Sequence, residues 1–274
     1  MLSSRPRLEV LEYRPEIPSR AVDVVLLHGI CVGAWVWTDA FIQPLLDAGY
    51  RVLAVSFRGH GASEGRSTRR QHRLSDFVAD AHHVIRQCEA PPVVVGHSLG
   101  SAVVHGLLRQ QVPMAACGLL SPVPVQGLLG VSTRLMWNDP MAFQQLSVGL
   151  MLGVRHVSER VMARLLFSRP SVDEEVHGFL ARCTDESPWL SFDLSHSLGP
   201  PHTASVGQPP IWVASGTADG LIRPRDAETV AAHYEATMHW VDGGSHLLMY
   251  DRSAGQTADA LVTWLATSLT HAPV

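Results

Sequence analysis

Short apolar runs recur along the chain and alternate with polar, glycine-containing junctions. The run from Val22 to Leu27 is rich in β-branched and apolar residues, which is typical of a strand buried on both faces. Similar runs follow at Arg51 to Ser56, Pro92 to Val95, Ala115 to Leu120, Ile211 to Ser215 and Met238 to Val241. We therefore predict a sheet whose strands are covered on both faces.

Between several of these runs, apolar residues recur at the spacing of helices. The segments with this spacing are Leu74 to Cys88, Ser101 to Gln111, Arg225 to Tyr234 and Ala254 to Leu269. Because strand and helix alternate, we predict an α/β fold with a mostly parallel central sheet flanked by helices. Ligands of such sheets bind at the carboxyl ends of the strands.

The alternation breaks between Pro122 and about Thr203, where no strand pattern is found. Helical patterns there cover Met141 to Val154, Ser158 to Phe167 and Asp173 to Cys183. We predict a helical cap insertion at 122–203, between two parts of the core at 1–121 and 204–274. Such a cap would cover the catalytic edge of the sheet and select the substrate. The alternative is an insertion that only stabilises the fold.

The strongest chemical signal is the pentapeptide from Gly96 to Gly100 (GHSLG). It follows a predicted strand and precedes a predicted helix, which is the context of a nucleophile elbow. The glycines permit a tight turn, and the serine hydroxyl is presented at the start of the helix. Ser98 is therefore the predicted nucleophile, and a helix-capping serine in a glycine-rich turn is the alternative.

A serine hydroxyl is a weak nucleophile and needs a base, which a carboxylate in turn must orient. In this architecture the order along the chain is Ser, acid, His, with each residue at a strand end. Asp219 and His246 each follow a predicted strand in that order. The chain has 15 histidines, so His246 is chosen by its position. Asp242 and Asp226 remain alternatives to Asp219 as the acid.

Attack on a carbonyl creates an oxyanion, which needs preorganised hydrogen-bond donors. We expect the backbone amide of Leu99, directly after the nucleophile, to be one donor of this oxyanion hole. The Ile30 amide, in the loop after the first predicted strand, is our choice for the second. We expect His28 to organise this loop rather than to act as a second base.

Composition and charge exclude several classes of binding partner and of chemistry for this chain. The chain has 274 residues, of which 46% are apolar and 17% charged, so it is long and apolar enough to fold into one substantial core. A formal net charge of −4 gives no field that would hold nucleic acid. All 21 basic residues are arginines, which excludes lysine-dependent chemistry. The four cysteines form no CxxC pair, so no zinc or dithiol site is indicated.

The N-terminal residues Met1 to Val10 are charged and contain no apolar signal-peptide core. No later run approaches the length of a membrane span. We therefore expect a cytoplasmic protein with no membrane-spanning segment. The oligomeric state is not indicated by the sequence.

Across almost its whole length the chain resembles enzymes of the α/β-hydrolase fold. The residues that carry the resemblance are His28-Gly29, Arg58 to Gly65 (RGHGASEG), Gly96 to Gly100, Asp219 and His246. The stretch from Arg58 to Gly65 is similar to a loop of lysophospholipases and monoacylglycerol lipases. The stretch from His28 to Trp37 (HGICVGAWVW) resembles small-molecule methylesterases and hydroxynitrile lyases. One departure is Ser56, where many relatives have an aspartate that anchors the loop.

The resemblance also disfavours some reactions. Dehalogenases and epoxide hydrolases of this fold use an aspartate nucleophile, whereas the elbow here presents Ser98. Plant-type hydroxynitrile lyases use a lysine in the cap, and this chain has no lysine. Carbon–carbon bond hydrolases and cofactor-free haloperoxidases use the same type of triad and are not excluded.

The sequence thus predicts a lipase-like serine hydrolase that cleaves a small-molecule carboxylic ester, lactone or thioester through an acyl-enzyme. No metal or organic cofactor is required for this reaction. Candidates for an apolar substrate pocket, each with ordinary packing as the alternative, are Trp35, Trp37, Met136, Trp137, Phe143, Leu146, Leu150 and Trp189. The alternative functions are a ligand receptor on the same scaffold, an acyltransferase and a carbon–carbon bond hydrolase.

Overall fold

A computed structural model describes residues 6–17, 20–169, 172–199 and 208–269. These residues form a seven-stranded sheet in the order β1-β3-β2-β4-β5-β6-β7. The strands are β1 (Glu9–Tyr13), β2 (Val24–Leu27), β3 (Val52–Ser56), β4 (Val93–His97), β5 (Ala116–Leu120), β6 (Ile211–Gly216) and β7 (Thr237–Val241). All neighbouring pairs are parallel except β1 with β3.

Helices cover both faces of this sheet. The helices of the core are α1 (Asp39–Asp47), α2 (Leu74–Ile85), α3 (Leu99–Arg109), α9 (Pro224–Tyr234) and α10 (Ala254–Ser268). Short 3-10 helices lie at Ala34–Val36, Arg66–Gln71 and Val154–His156. The predicted α/β class, with a mostly parallel sheet flanked by helices, is confirmed. Strand β1 and helix α1 are additions that the apolar pattern did not predict.

Successive side chains of each central strand enter opposite sides of the core. Val25 of β2 packs in an apolar cluster with Phe77 of α2, on the side that also carries α3 and α9. Its neighbour Val24 packs in a second cluster with Phe41 of α1, on the side of α10. Both faces of the strand are therefore apolar, which explains the continuous apolar runs in the sequence.

A helical segment lies between β5 and β6. Its helices are α4 (Leu129–Asn138), α5 (Pro140–Leu152), α6 (Glu159–Leu166), α7 (Glu174–Arg182) and α8 (Pro188–Asp193). Within residues 122–169 and 172–199 it contains no strand. Three of these helices match the predicted ones, whereas α4 and α8 were not predicted. The predicted C-terminal limit of the insertion, Thr203, lies outside the described residues.

The described helices are short compared with the thickness of a bilayer. Within the described ranges, none is long and apolar enough to cross a membrane. The longest of them, α10, has 15 residues, whereas roughly 20 are needed to span.

Helix α3 approaches the sheet too closely for side chains at two positions. A Cβ atom on Gly100 would lie 2.2 Å from the carbonyl oxygen of Leu27, at the end of β2. A Cβ atom on Gly96 would lie 2.4 Å from the carbonyl oxygen of Gly100. Both obstacles are backbone atoms, which cannot rotate away. Glycine at these positions therefore sets the distance between the start of α3 and the ends of β2 and β4.

We predict that Gly100→Ala lowers the free energy of unfolding by about 3 kcal/mol, because the added methyl group overpacks this contact. The matched control is Gly178→Ala, since Gly178 is exposed in α7 and a Cβ atom there would meet nothing within 4 Å. The control should gain about 0.5–1 kcal/mol from the helix propensity of alanine. Urea unfolding followed by circular dichroism measures both values. Equal stability of the two variants would contradict the close approach.

Candidate active site

Ser98 occupies the turn between β4 and α3. Its backbone has φ 49° and ψ −112°, a left-handed φ that residues other than glycine rarely adopt. The Ser98 amide donates a hydrogen bond to the carbonyl oxygen of Leu120 at 3.0 Å, which ties the turn to β5. The residue is 7% exposed and lines a cavity at the carboxyl end of the sheet. The serine thus lies in a strained turn between a strand and a helix, beside this cavity.

Asp219 and His246 meet after the ends of β6 and β7. The Nδ1 atom of His246 lies 2.9 Å from Oδ2 of Asp219, and both side chains are buried. The other carboxylate oxygen accepts hydrogen bonds from the amides of Leu221 and Ile222, both at 2.8 Å. The carboxylate is thus held in place and orients the imidazole of His246 through Nδ1. Like Ser98, His246 lines the cavity.

The two other candidate acids lie elsewhere. Asp242 is exposed and accepts a hydrogen bond from the hydroxyl of Thr217 at 3.3 Å. Asp226, at the start of α9, forms a two-pronged ion pair with Arg134 of the helical segment. Of the three carboxylates, the one bonded to His246 is Asp219.

His97, the residue before Ser98, supports His246 through a hydrogen bond to its backbone. Its Nε2 donates to the carbonyl oxygen of His246 at 2.9 Å, and the two ring centroids are 4.9 Å apart. Burial holds the pKa of His97 well below its usual value, so the ring is neutral. Sequence reasoning missed this role, although the position beside the nucleophile was a signal for it.

The loop that follows β2 carries Ile30, the second candidate oxyanion donor. Ile30 and Leu99 both line the cavity beside Ser98. The Phe57 amide donates to Nε2 of His28 at 3.0 Å, so the proton of this ring is on Nδ1, 2.7 Å from the carbonyl oxygen of Gly29. Burial keeps the pKa of His28 well below its usual value. His28 therefore holds the loop as a neutral donor.

The cavity has a volume of about 220 Å³ and is lined almost entirely by apolar side chains. Ser98 and His246 lie in its wall together with Phe143, Leu146 and Leu150, three residues that were proposed from the sequence as substrate-binding. The helical segment contributes further aliphatic residues to this wall: Val131, Leu135, Val154, Val157, Met162, Leu165 and Leu166. An apolar space thus lies directly beside the serine and the histidine.

The tryptophans proposed for the pocket lie outside it. Trp37 is buried in the core against Phe41, and Trp35 packs edge-on against Phe179 beneath the guanidinium of Arg182. Each ring is thereby held in packing contacts of its own.

The remaining bulky candidates are exposed and do not line the cavity. Trp137 and Met136 are 78% and 42% exposed, and Trp189 is 53% exposed under the guanidinium of Arg73. Aromatic size was therefore a poor guide to the lining. The signal that could have identified the lining is the helical spacing of Leu128, at the N-cap of α4, with Val131 and Leu135 within it.

In the part of the chain that the structure describes, no group of three or more His, Cys, Asp or Glu side chains could hold a metal ion. The thiol of Cys31, which also lines the cavity, stays protonated because burial raises its pKa well above the usual value.

Comparison with known proteins gives matches in sequence and in structure. The model of the Alpha/beta hydrolase family matches residues 24–260. Epoxide hydrolase B of Mycobacterium tuberculosis is 32% identical over 111 residues, which cover 39% of this chain and 31% of that protein. The chain thus aligns with about a third of the length of this relative.

Two solved structures are similar over nearly the whole chain. A carboxylesterase of Nitrososphaera gargenis has a TM-score of 0.74 at 18% identity, covering 99% of this chain and 98% of its own. The monoacylglycerol lipase of Paleococcus ferrophilus has a TM-score of 0.68 at 19% identity, covering 97% and 100%. At these identities the likeness shows a shared fold. Since the family model matches residues 24–260, the protein belongs to the alpha/beta hydrolase family.

Proposed function

We propose that the protein is a serine hydrolase that cleaves small-molecule carboxylic esters with an apolar acyl group, with lactones and thioesters as related substrates. The observation that carries this proposal is the 2.9 Å contact of Asp219 with His246, which lines the same cavity as Ser98. A positioned base, an acid that orients it and a hydroxyl in a strained turn form the set that nucleophilic acyl transfer requires.

In the proposed reaction, Nε2 of His246 takes the hydroxyl proton of Ser98 as Oγ attacks the carbonyl carbon. The amides of Ile30 and Leu99 bind the resulting oxyanion, and Asp219 stabilises the imidazolium. The alcohol leaves with the proton from His246, and an acyl-enzyme remains. His246 then takes a proton from water, whose oxygen attacks the acyl carbon. The acid is released and Ser98 regains its proton.

The lining of the cavity supports an uncharged, apolar acyl group. A charged group would lose its hydration there without gaining a partner, which is costly. Engineered apolar cavities of about 150 Å³ hold a benzene ring, so the 220 Å³ found here is enough for an acyl group of at least that size.

We further propose that residues 122–203 form a cap domain on a core made of residues 1–121 and 204–274. The helical segment supplies most of the apolar wall of the cavity, including Leu135, Leu146 and Leu165. A segment in this position would exclude water from the acyl-enzyme and select the shape of the substrate.

Similarity to a protein named epoxide hydrolase does not extend the proposal to epoxides. By the family resemblance, enzymes of this fold that open epoxides have a carboxylate as the nucleophile of the elbow. This chain has Ser98 at that position.

The experiment that tests the proposal measures hydrolysis of p-nitrophenyl esters of increasing acyl length by the wild type and by Ser98→Ala. We expect kcat to fall at least about 10⁴-fold in the variant, because the nucleophile is removed. For the wild type, kcat/KM should rise by up to roughly fourfold per added methylene while the chain still fits the cavity.

The control variant is Ser147→Ala. Ser147 also lines the cavity, but its hydroxyl donates a hydrogen bond to the carbonyl oxygen of Phe143 at 2.8 Å. Its kcat should stay within about threefold of the wild type, a change of less than about 1 kcal/mol. Undiminished hydrolysis by Ser98→Ala, with folding verified by circular dichroism, would rule out the proposed mechanism.

A second prediction separates the candidate acids. Asp219→Asn should lower kcat by about 10³- to 10⁴-fold, because an amide at this position no longer holds the proton of His246 on Nδ1. Asp242→Asn should change kcat by less than about twofold, since Asp242 is exposed and accepts its hydrogen bond from Thr217. Steady-state kinetics with one ester compares the two, and similar losses in both would contradict the assignment of Asp219.

A further inference from the structure

A buried carboxylate of the helical segment reaches the loop that carries Ile30. Glu186, between α7 and α8, is 1% exposed. Its Oε2 accepts hydrogen bonds from Nε2 of His60 at 3.0 Å and from the Cys31 amide at 3.3 Å, and its Oε1 accepts one from the Ser187 amide at 3.0 Å. All its contacts favour the ionised form. Burial acts to raise the pKa of Glu186, but the His60 ring and these amides outweigh it, so the pKa lies below its usual value.

His60 is the side-chain partner of Glu186. Its other ring nitrogen, Nδ1, lies 3.1 Å from the carbonyl oxygen of Arg58. The contact between the two side chains is fully buried and joins the helical segment to the loop after β3. Losing one member of such a buried pair is costly, because the other polar group is left without a partner.

The backbone of Cys31 is held on both sides by this part of the helical segment. Cys31 has φ 63°, a left-handed conformation that a residue with a side chain rarely adopts without support. Its amide donates to Glu186, and its carbonyl oxygen accepts a hydrogen bond from the Thr184 amide at 2.8 Å. The two peptide groups that flank Cys31 are thereby fixed.

The preceding peptide group contains the Ile30 amide. In a trans peptide the C=O and N–H bonds point in opposite directions. Because His28 holds the carbonyl oxygen of Gly29, the Ile30 amide points away from His28. The peptide groups before and after Ile30 are thus each held by one contact, from His28 and from Glu186 respectively. Loss of the Glu186 contact removes one of the two hydrogen bonds that hold Cys31 in its left-handed conformation, directly after the residue that carries the Ile30 amide.

We infer that Glu186 is a positioning residue that keeps the Ile30 amide in the orientation of an oxyanion donor. This inference rests on the proposed function, since it assigns a consequence to an oxyanion formed on attack by Ser98. The oxyanion exists only in the transition state and the tetrahedral intermediate, so loss of Glu186 should lower kcat and leave KM almost unchanged.

The test compares Glu186→Gln and Glu186→Leu with the wild type in hydrolysis of one p-nitrophenyl ester. We expect kcat to fall about 10-fold in the glutamine variant, which keeps one acceptor oxygen, and about 100-fold in the leucine variant, as for loss of an oxyanion donor. KM should stay within about twofold. Affinity for an alkyl boronic acid, which forms a tetrahedral adduct with an active serine, should fall in parallel with kcat.

The matched control is Glu159→Gln. Glu159 pairs with His177 at the same distance of 3.0 Å and also lies in the helical segment, but both side chains are largely exposed. The kinetics of this variant should equal those of the wild type. Equal kcat in the wild type and the folded Glu186→Leu variant would overturn the inference, as would a loss confined to KM.

Folding of the variants is assessed by circular dichroism. If Glu186→Leu does not fold, Glu186→Gln decides, because it keeps the volume of the side chain. An unchanged kcat in Glu186→Gln then overturns the inference. Failure of both variants to fold would assign the contact between Glu186 and His60 to stability alone, which also overturns the inference. Absence of Ser98-dependent hydrolysis in the wild type is a different result and would reject the proposed function itself.

Discussion

The site depends on how closely helix α3 packs against the ends of β2 and β4. Gly96 and Gly100 leave no space for a Cβ atom, and between them Ser98 adopts a left-handed backbone. The loop after β2 also lies beside the serine at this contact. A Cβ atom on Gly29 would lie 3.5 Å from that of Ser98. One packing constraint therefore sets the positions of the candidate nucleophile and of the loop that carries the Ile30 amide.

Four buried histidines lie near this contact, and their roles differ because their hydrogen-bond partners differ. His28 and His97 are neutral, because burial lowers the pKa of each and each donates one proton to a carbonyl oxygen. His60 lies between two acceptors, the carboxylate of Glu186 and the carbonyl oxygen of Arg58. His246 is oriented by a carboxylate and lines the cavity. Residue type alone could not assign these roles, since each follows from a contact between distant parts of the chain.

Much of the core could be predicted from the sequence because its signals are local. Strands buried on both faces give continuous apolar runs, and the elbow motif needs only its flanking strand and helix. Strand β1 escaped detection, since an edge strand that pairs only with β3 is partly exposed and has no such run. The tryptophans of the helical segment were misleading because the sequence does not show which helix face meets the cavity.

Contacts between distant residues could not be predicted where no motif or chain order marks the partners. Ser56 stands where many relatives have an aspartate, and the sequence offered no replacement for that anchor. In the structure, the Ser56 hydroxyl accepts a hydrogen bond from the Ala34 amide at 2.8 Å and donates one to Glu9 at 2.6 Å. The Ser56 hydroxyl thus connects β1 to the segment after β2. The pairing of Glu186 with His60 joins residues 126 positions apart and leaves no local pattern in the sequence.

The central claim is that Ser98 is activated by His246 in the shared cavity. It is tested most directly by reaction with a fluorophosphonate probe, followed by mass analysis of the intact protein and of its peptides. The account predicts a single adduct on the peptide that contains Ser98, and labelling at least about 100-fold slower in His246→Ala. An adduct on another residue, or equally fast labelling of the two proteins, would contradict it.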